Sequence, residues 1–283
     1  MALMNKKILI ILSVVILYVN LHSLETKKIL TFTPLPIKKQ SKLAEEFLPL
    51  YSYIEKKTGI KTKFVYENDY STIIEKFKQN KIDIVLLGPL PYAKLNQTYK
   101  FNEPIITFKQ KSGNPYYKCV LAKFGKDKIN FDEKLKIALT QPLSTCGYYM
   151  TNILLKNKYN INLEEQSYDY IMSHSNVLIQ VLEGNFNIAG VKDNIAHGFS
   201  SLGIRVIEQS KYLPGFSLIV NTKTVSPEEI KTIQNIILSI PQSSYQKWEG
   251  ISSNGFVKAN KELYKNIEID FNKIPQTGNI NEK

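Results

Sequence analysis

Strand-like and helix-like segments alternate through the early part of this chain. Residues 29–32 and 82–87 are apolar runs of strand length, whereas residues 42–57 place apolar side chains three and four positions apart, as helices do. Between them, residues 62–66 alternate like a strand, and Asp69 can cap a further helix that begins there. The order βαβαβ predicts a parallel sheet with right-handed connections.

A second α/β pattern begins near residue 135. The apolar run 135–139 leads into a turn at 141–148, and a helix-like run over 149–156 follows the turn. Ligands of open α/β sheets bind beyond the carboxyl ends of the strands. The first half has a similar strand-to-helix turn at Gly88-Pro89. Two similar halves, each with such a turn, predict a hinged protein with two lobes and one cleft. The tail after Pro275 is expected to be disordered.

The chain has 283 residues, of which 43% are hydrophobic and 22% are charged, which is typical of a globular protein. Its formal net charge of +12 raises the question of nucleic-acid binding. The lysines, however, are dispersed along the chain, and Arg205 is the only arginine, so repeated guanidinium contacts to phosphates or bases are excluded. We expect no nucleic-acid partner.

The amino terminus is typical of a secretory signal peptide. Lys6 and Lys7 precede an apolar run over residues 8–19, and Ser23 is a small residue placed where cleavage could occur. The run is short for a transmembrane helix, although a retained membrane anchor is the alternative. We expect residues 1–23 to be removed and the mature protein to be periplasmic.

The turn at 141–148 has the features of an anion site. Ser144 can cap the following helix, whose first free N–H groups carry partial positive charge. A phosphate-like anion placed there gains hydroxyl and backbone donors, and Gly147 has no Cβ to keep a ligand away from the backbone. The alternative is an ordinary helix cap without a ligand.

The order and spacing of several short motifs resemble those of one family. The motifs are Asp69-Tyr70, DIVLLGPLPY at 83–92, STCGY at 144–148, Ser173-His174 with QVLEG at 180–184, and NIAGVKD at 187–193. The chain resembles the PhnD-like phosphate, phosphite and phosphonate substrate-binding proteins of ABC transporters. Those proteins are a branch of the type 2 periplasmic binding fold, so the resemblance implies a two-lobed α/β protein with a hinge and a ligand cleft between the lobes.

The resemblance also implies a set of ligand-binding residues. They are Tyr70, Tyr92, Ser144, Thr145, Cys146, His174 and Asp193. The tyrosines would donate hydroxyls from the first lobe, the segment at 144–146 would hold the oxyanion from the second lobe, and His174 would donate a ring N–H. Asp193 is the one match to the acidic groups that hold an amine in aminophosphonate binders, so aminoalkylphosphonates are not favoured.

The same resemblance divides the chain into lobes. We expect the first lobe to comprise residues 24–113 and 215–283, and the second lobe residues 114–214. The hinge is expected near residues 114–118 and near Pro214-Gly215, where the chain would cross from one lobe to the other.

Cys119 and Cys146 are the only cysteines, and the sequence leaves their state open. In an oxidising compartment they could form a disulfide. Relatives carry a serine where this chain has Cys146, which favours a reduced thiol that faces the cleft at a helix N-terminus, where its pKa would be lowered. We therefore expect a free thiol at Cys146, and a Cys119–Cys146 disulfide is the alternative.

Together these features predict a protein that captures a small oxyanion of the phosphate, phosphite or phosphonate class for an ABC transporter. It would act as a monomer, without cofactor or metal, and would meet a permease in the inner membrane. The alternative is a periplasmic receptor, including for arsenic oxyanions, that feeds a sensor kinase through its ectodomain. A Cys146–His174 nucleophile pair would make the protein an enzyme, but no protease or nucleophile-elbow signature surrounds either residue, so we expect no catalytic residues.

Overall fold

The computed structural model describes residues 29–126, 128–265 and 267–280. The predicted signal peptide lies outside the described residues. Within those ranges, no helix combines the length and the apolar character that crossing a membrane requires.

The described residues form strands and helices in the following chain order. The strands are β1 (Ile29–Thr33), β2 (Lys61–Phe64), β3 (Ile84–Leu87), β4 (Asn102–Phe108), β5 (Tyr116–Tyr117), β6 (Cys119–Phe124), β7 (Lys136–Leu139), β8 (Ser167–Tyr170), β9 (Ile188–Lys192), β10 (Ile204–Gln209), β11 (Leu213–Pro214), β12 (Ser217–Asn221) and β13 (Phe256–Lys258). The α-helices are α1 (Gln40–Thr58), α2 (Tyr70–Lys78), α3 (Pro89–Thr98), α4 (Met150–Tyr159), α5 (His174–Leu182), α6 (Asp193–Gly198), α7 (Pro227–Leu238) and α8 (Gln242–Tyr245).

Two mixed sheets contain most of the strands. The first sheet has the strand order β13-β4-β12-β3-β1-β2, and the second sheet has the order β10-β6-β9-β7-β8. β1 pairs in parallel with both β2 and β3, as the βαβαβ pattern predicts, and β7 pairs in parallel with β8 and β9. Because ligand sites lie beyond the carboxyl ends of such strands, the segments after β3, β7 and β9 are placed to meet a ligand.

Helix α1 shows how the sequence builds the core. Its predicted apolar face of Leu43, Phe47, Leu50 and Ile54 is buried, and Phe47 packs against Phe32 of β1 with 5.2 Å between ring centroids. Burial of an apolar side chain of this size stabilises a fold by about 1.5–3 kcal/mol. The helical spacing predicted for residues 42–57 is confirmed.

The chain passes between the sheets in two adjacent segments. Strands β1–β4, β12 and β13 belong to the first sheet, whereas β6–β10 belong to the second sheet. β5 and β11 lie on the connecting segments and pair with each other, with Tyr117 opposite Leu213. The hinge predicted at 114–118 and Pro214-Gly215 falls on these segments, and the division into lobes at these positions stays a prediction.

The expectation of a disordered tail after Pro275 is wrong for residues 276–280, the part of the tail that the structure describes. The Asn279 N–H donates to the Tyr168 carbonyl (3.0 Å), and the Asn279 side-chain oxygen accepts from the Tyr168 N–H (2.8 Å). The Asn279 side-chain amide also donates to the Gln166 carbonyl (2.8 Å). The physical reason is that β8 is an edge strand, whose backbone groups are open to a partner. The tail therefore covers a free edge of the second sheet.

We predict that Asn279→Ala lowers the free energy of unfolding by about 1–3 kcal/mol, because it leaves backbone groups at the β8 edge without partners. Urea unfolding followed by fluorescence measures the change. Asn272→Ala, at an exposed position nearby, is the matched control and should shift stability by less than about 0.5 kcal/mol. Equal effects of the two substitutions would show that the tail does not hold the strand.

Candidate functional site

A small cavity lies between the two sheets, near the carboxyl ends of β3, β7 and β9. Its lining residues come from elements next to the first sheet, from elements next to the second sheet and from the connecting segments. They are Leu35, Tyr70, Gly88, Pro91, Tyr117, Ser144, Thr145, Cys146, His174, Lys192 and Phe216. The structure thus brings together Tyr70, the segment at 144–146 and His174, which are far apart in the sequence.

Ser144, in the turn at 141–148, caps the helical segment that follows. Ser144 Oγ accepts a hydrogen bond from the Gly147 N–H (3.0 Å), and Thr145–Tyr149 forms a π-helical turn before α4 begins. Gly147 is needed for a different reason than expected, because a Cβ there would overlap Thr140 rather than a ligand. The turn is therefore pressed against the residue that follows β7.

Thr145 connects the two sides of the cavity. Its Oγ1 accepts a hydrogen bond from the Leu90 N–H (3.0 Å) in the first turn of α3, and its side chain lines the cavity together with Tyr117. The threonine oxygen thus lies where the N-terminus of α3 offers donors to an electronegative atom.

Two tyrosines supply hydroxyl groups to the cavity. Tyr70 and Tyr117 are almost completely buried, and burial raises the pKa of both hydroxyls above the usual value. Both therefore remain protonated donors at neutral pH. Sequence reasoning misses Tyr117, because no motif marks it; its position on a predicted hinge segment is the one available signal.

The structure does not place Tyr92 or Asp193 in the cavity wall. The Tyr92 ring packs edge-on against Tyr264, with 4.7 Å between ring centroids. The Asp193 carboxylate accepts a hydrogen bond from the Asn194 N–H (2.8 Å) at the start of α6. Both residues lie near strand ends, as the motifs predict, but their side chains make other contacts.

His174 begins α5, after the helix cap at Ser173. Its Nδ1 is buried and has no hydrogen-bond partner among the described residues. Burial, with a smaller contribution from the charge on Lys192, lowers the pKa of His174 to about 4. The ring is therefore neutral at pH 7, where it has one N–H donor and one acceptor nitrogen.

The expected free thiol at Cys146 is wrong, because Cys119 and Cys146 form a disulfide with their Cα atoms 5.0 Å apart. Cys119 begins β6, which pairs with β9. The turn packs so closely on β9 that a Cβ on Gly190 would overlap Thr151 and the Cys146 carbonyl. This packing brings the cysteines within bonding distance. The oxidised form has no thiolate for a soft ligand and no Cys146–His174 nucleophile pair.

Sequence reasoning also misses Lys192 as part of the site. This residue ends β9 and is 9% exposed, with Nζ 4.8 Å from the ring centre of Tyr117 and 5.4 Å from that of Phe216. It donates a hydrogen bond to Gln110 Oε1. Burial lowers the pKa of Lys192 to about 8, against a smaller opposing effect of Asp193. At pH 7 the side chain is thus a buried cation in the cavity wall.

Comparison with known families gives a match over most of the chain. A model of the family described as "ABC transporter, phosphonate, periplasmic substrate-binding protein" matches residues 32–264, which is most of the chain. The chain belongs to this family. Members of the phosphonate-binding family are substrate-binding proteins of transporters rather than enzymes, and this membership does not favour the sensor-kinase alternative.

Solved structures of the phosphonate-binding family and of a sulphonate-binding protein share the fold. PhnD1 of Prochlorococcus marinus, in complex with methylphosphonate, has a TM-score of 0.73 and 16% identity, with 86% of this chain and 96% of that chain covered. A binding protein component of an ABC phosphonate transporter from Pseudomonas aeruginosa has a TM-score of 0.70 and 17% identity, with 84% and 83% covered. SsuA, the periplasmic aliphatic sulphonate binding protein of Escherichia coli, has a TM-score of 0.56 and 13% identity, with 77% and 73% covered. The type 2 periplasmic binding fold predicted from the sequence is confirmed.

We predict that His174 makes the protein less stable on acidification. The folded protein holds the pKa of His174 at about 4 against an ordinary value of 6.5, so the unfolded chain binds more protons between these values and unfolding becomes easier as pH falls. From about pH 7 to about pH 5 the loss should be about 1–2 kcal/mol. Urea unfolding at both pH values measures it.

The control for this prediction is a second histidine. His174→Gln should lose this part of the pH dependence, whereas His197→Gln, at an exposed position, should keep it. The same pH dependence in wild type and H174Q would contradict the buried neutral ring.

Proposed function

We propose that this protein captures a phosphonate-class oxyanion in the cavity between its sheets and delivers it to the permease of an ABC transporter. The observation that carries this proposal is the convergence of hydrogen-bond donors from both sheets at one cavity, in a member of the phosphonate-binding family. PhnD1 of Prochlorococcus marinus, which shares the fold, was solved with methylphosphonate. Phosphate and phosphite have a similar tetrahedral head, so the class includes them.

The donors proposed to contact the head group are mostly neutral. They are the Tyr70 and Tyr117 hydroxyls, the Thr145 hydroxyl, the His174 ring and the N–H groups at the start of α3 and of the turn after Ser144. A hydrogen bond to a charged group contributes about 1.5–3 kcal/mol. Several such bonds hold an anion without a matching number of cations.

Capture is proposed to involve movement of one sheet relative to the other about the two connecting segments. The pairing of β5 with β11 keeps these two segments side by side, so that they can act as one hinge. The hydrogen bond between Leu90 and Thr145 links the two sides of the cavity. A ligand that contacts both sides adds to this link and so favours the closed arrangement.

We also propose that residues 1–23 direct export and are removed, and that the mature monomer works in the periplasm. The family is described as periplasmic. The disulfide between Cys119 and Cys146 supports an oxidising compartment, because disulfides persist there and are rare in the cytosol.

We predict that Thr145→Val weakens methylphosphonate binding about tenfold to a hundredfold, because the variant keeps the side-chain shape but removes a hydroxyl. Isothermal titration calorimetry measures the affinity. Thr145→Ser retains the hydroxyl and should bind within about threefold of wild type. If both variants bind like wild type, Thr145 does not contact the ligand.

A thermal-shift panel tests the ligand class. The protein is heated alone and with phosphate, phosphite, methylphosphonate, sulfate, arsenate and arsenite. A phosphorus oxyanion should give the largest shift, since a ligand at about 100 times its Kd stabilises the folded state by roughly 2.7 kcal/mol. An equal shift with sulfate, or no shift with any phosphorus oxyanion, would overturn the proposal.

A further inference from the structure

We propose that the ligand carries a second negatively charged group beside its tetrahedral head, and that Lys192 and Gln110 bind this group at the mouth of the cavity. The inference rests on the proposed function and narrows it to phosphonates with an anionic substituent. A carboxylate one or two carbon atoms from the phosphorus is the simplest such substituent.

The cavity opens into a larger groove. The groove has a volume of about 640 Å³ and shares His174, Lys192 and Phe216 with the cavity. A ligand whose head lies in the cavity can extend its substituent past these side chains into the groove. Lys192 and Gln110 both line the groove, so the substituent passes within reach of them.

Lys192 differs from the three other lysines that line the groove, because one of them, Lys111, is exposed and the other two have acidic partners. Lys38 forms an ion pair with Glu46, and Lys42 forms one with Glu249. Among the described residues, no carboxylate forms an ion pair with Lys192, although Asp193 is near enough to influence it. Lys192 is therefore a buried cation whose acidic partner is not supplied by the described part of the chain.

Gln110 contributes an unused donor at the same place. Its Oε1 accepts from Lys192 Nζ, and its Nε2 is buried without a hydrogen-bond partner among the described residues. A buried N–H group without an acceptor is unfavourable. An ammonium and an amide N–H thus lie side by side, and the two oxygens of one carboxylate can accept from both.

The environment of Lys192 favours an anionic ligand. The rings of Tyr117 and Phe216 stabilise the Lys192 charge in part, but a buried cation without a carboxylate remains costly to desolvate. A carboxylate on the ligand supplies the missing partner. An ammonium group, as in 2-aminoethylphosphonate, is repelled, so Lys192 selects among phosphonates by the charge of the substituent.

Calorimetry with three phosphonates tests the inference. Methylphosphonate has the head alone, phosphonoacetate adds a carboxylate, and 2-aminoethylphosphonate adds an amine. Wild type should bind phosphonoacetate at least about tenfold more tightly than methylphosphonate, and 2-aminoethylphosphonate more weakly than either. Lys192→Met should reduce the advantage of phosphonoacetate over methylphosphonate at least about tenfold.

Lys118→Met is the matched control. Lys118 Nζ donates to Gln209 Oε1 and lies 4.8 Å from the ring centre of Tyr212, but Lys118 lines neither the cavity nor the groove. This variant removes the same charge from similar contacts and should leave the preference unchanged. Lys192→Arg keeps the charge and should retain the preference.

Gln110→Leu is a second, independent variant that tests the inference if Lys192→Met fails to fold. Removing a buried charge is not expected to unfold the protein, and the unfolding temperature checks this. Gln110→Leu removes only the amide and should reduce the advantage of phosphonoacetate about threefold or more. An unchanged preference in folded Q110L and folded K192M would overturn the inference.

The outcomes separate this inference from the proposed function. If methylphosphonate binds and phosphonoacetate binds no more tightly, the second anion site is refuted and the proposed function stands. If Lys192→Met weakens both ligands equally, Lys192 contacts the head and the inference fails. If no phosphonate binds, the proposed function itself fails.

Discussion

The close contact between the turn after Ser144 and the second sheet determines the geometry of the cavity. Gly147 lies against Thr140 at the end of β7, and Gly190 of β9 lies against Thr151, with no room for a Cβ at either glycine. The disulfide fixes the same turn to β6. Because the turn is held by three neighbouring strands, its donors are in position before a ligand arrives, and binding loses little conformational entropy in ordering them.

Burial controls the charge of the cavity in a consistent way. It raises the pKa values of Tyr70 and Tyr117 and lowers that of His174, so that all three side chains are uncharged near neutral pH. Lys192 is the exception, because its pKa of about 8 leaves it charged. The site therefore combines neutral donors with one cation at the boundary of the groove. The neutral donors suit an oxyanion with one or two negative charges, and the cation distinguishes one substituent of the ligand from another.

Local patterns in the sequence predict the βαβαβ order and the cap at Ser144, whereas the family resemblance implies the segments on which the chain crosses between the sheets. Features that depend on long-range packing are not predictable in this way. Lys192 beside Asp193 is typical of a solvated pair, and it is buried only because β9 lies between β6 and β7. The pairing of the cysteines depends on a distance between elements, and the order of the tail depends on Asn279 meeting β8.

The carboxyl-terminal tail links the two sheets through hydrogen bonds, in addition to the two connecting segments. The Tyr264 hydroxyl is hydrogen-bonded to Ser217 of the first sheet (2.6 Å), whereas Asn279 is hydrogen-bonded to β8 of the second sheet. The fifteen residue steps from Tyr264 to Asn279 can span at most roughly 50 Å when fully extended. The tail thus acts as a tether whose contour length limits the separation of the sheets while both contacts persist, and unwinding of the Phe271–Lys273 turn would lengthen its reach.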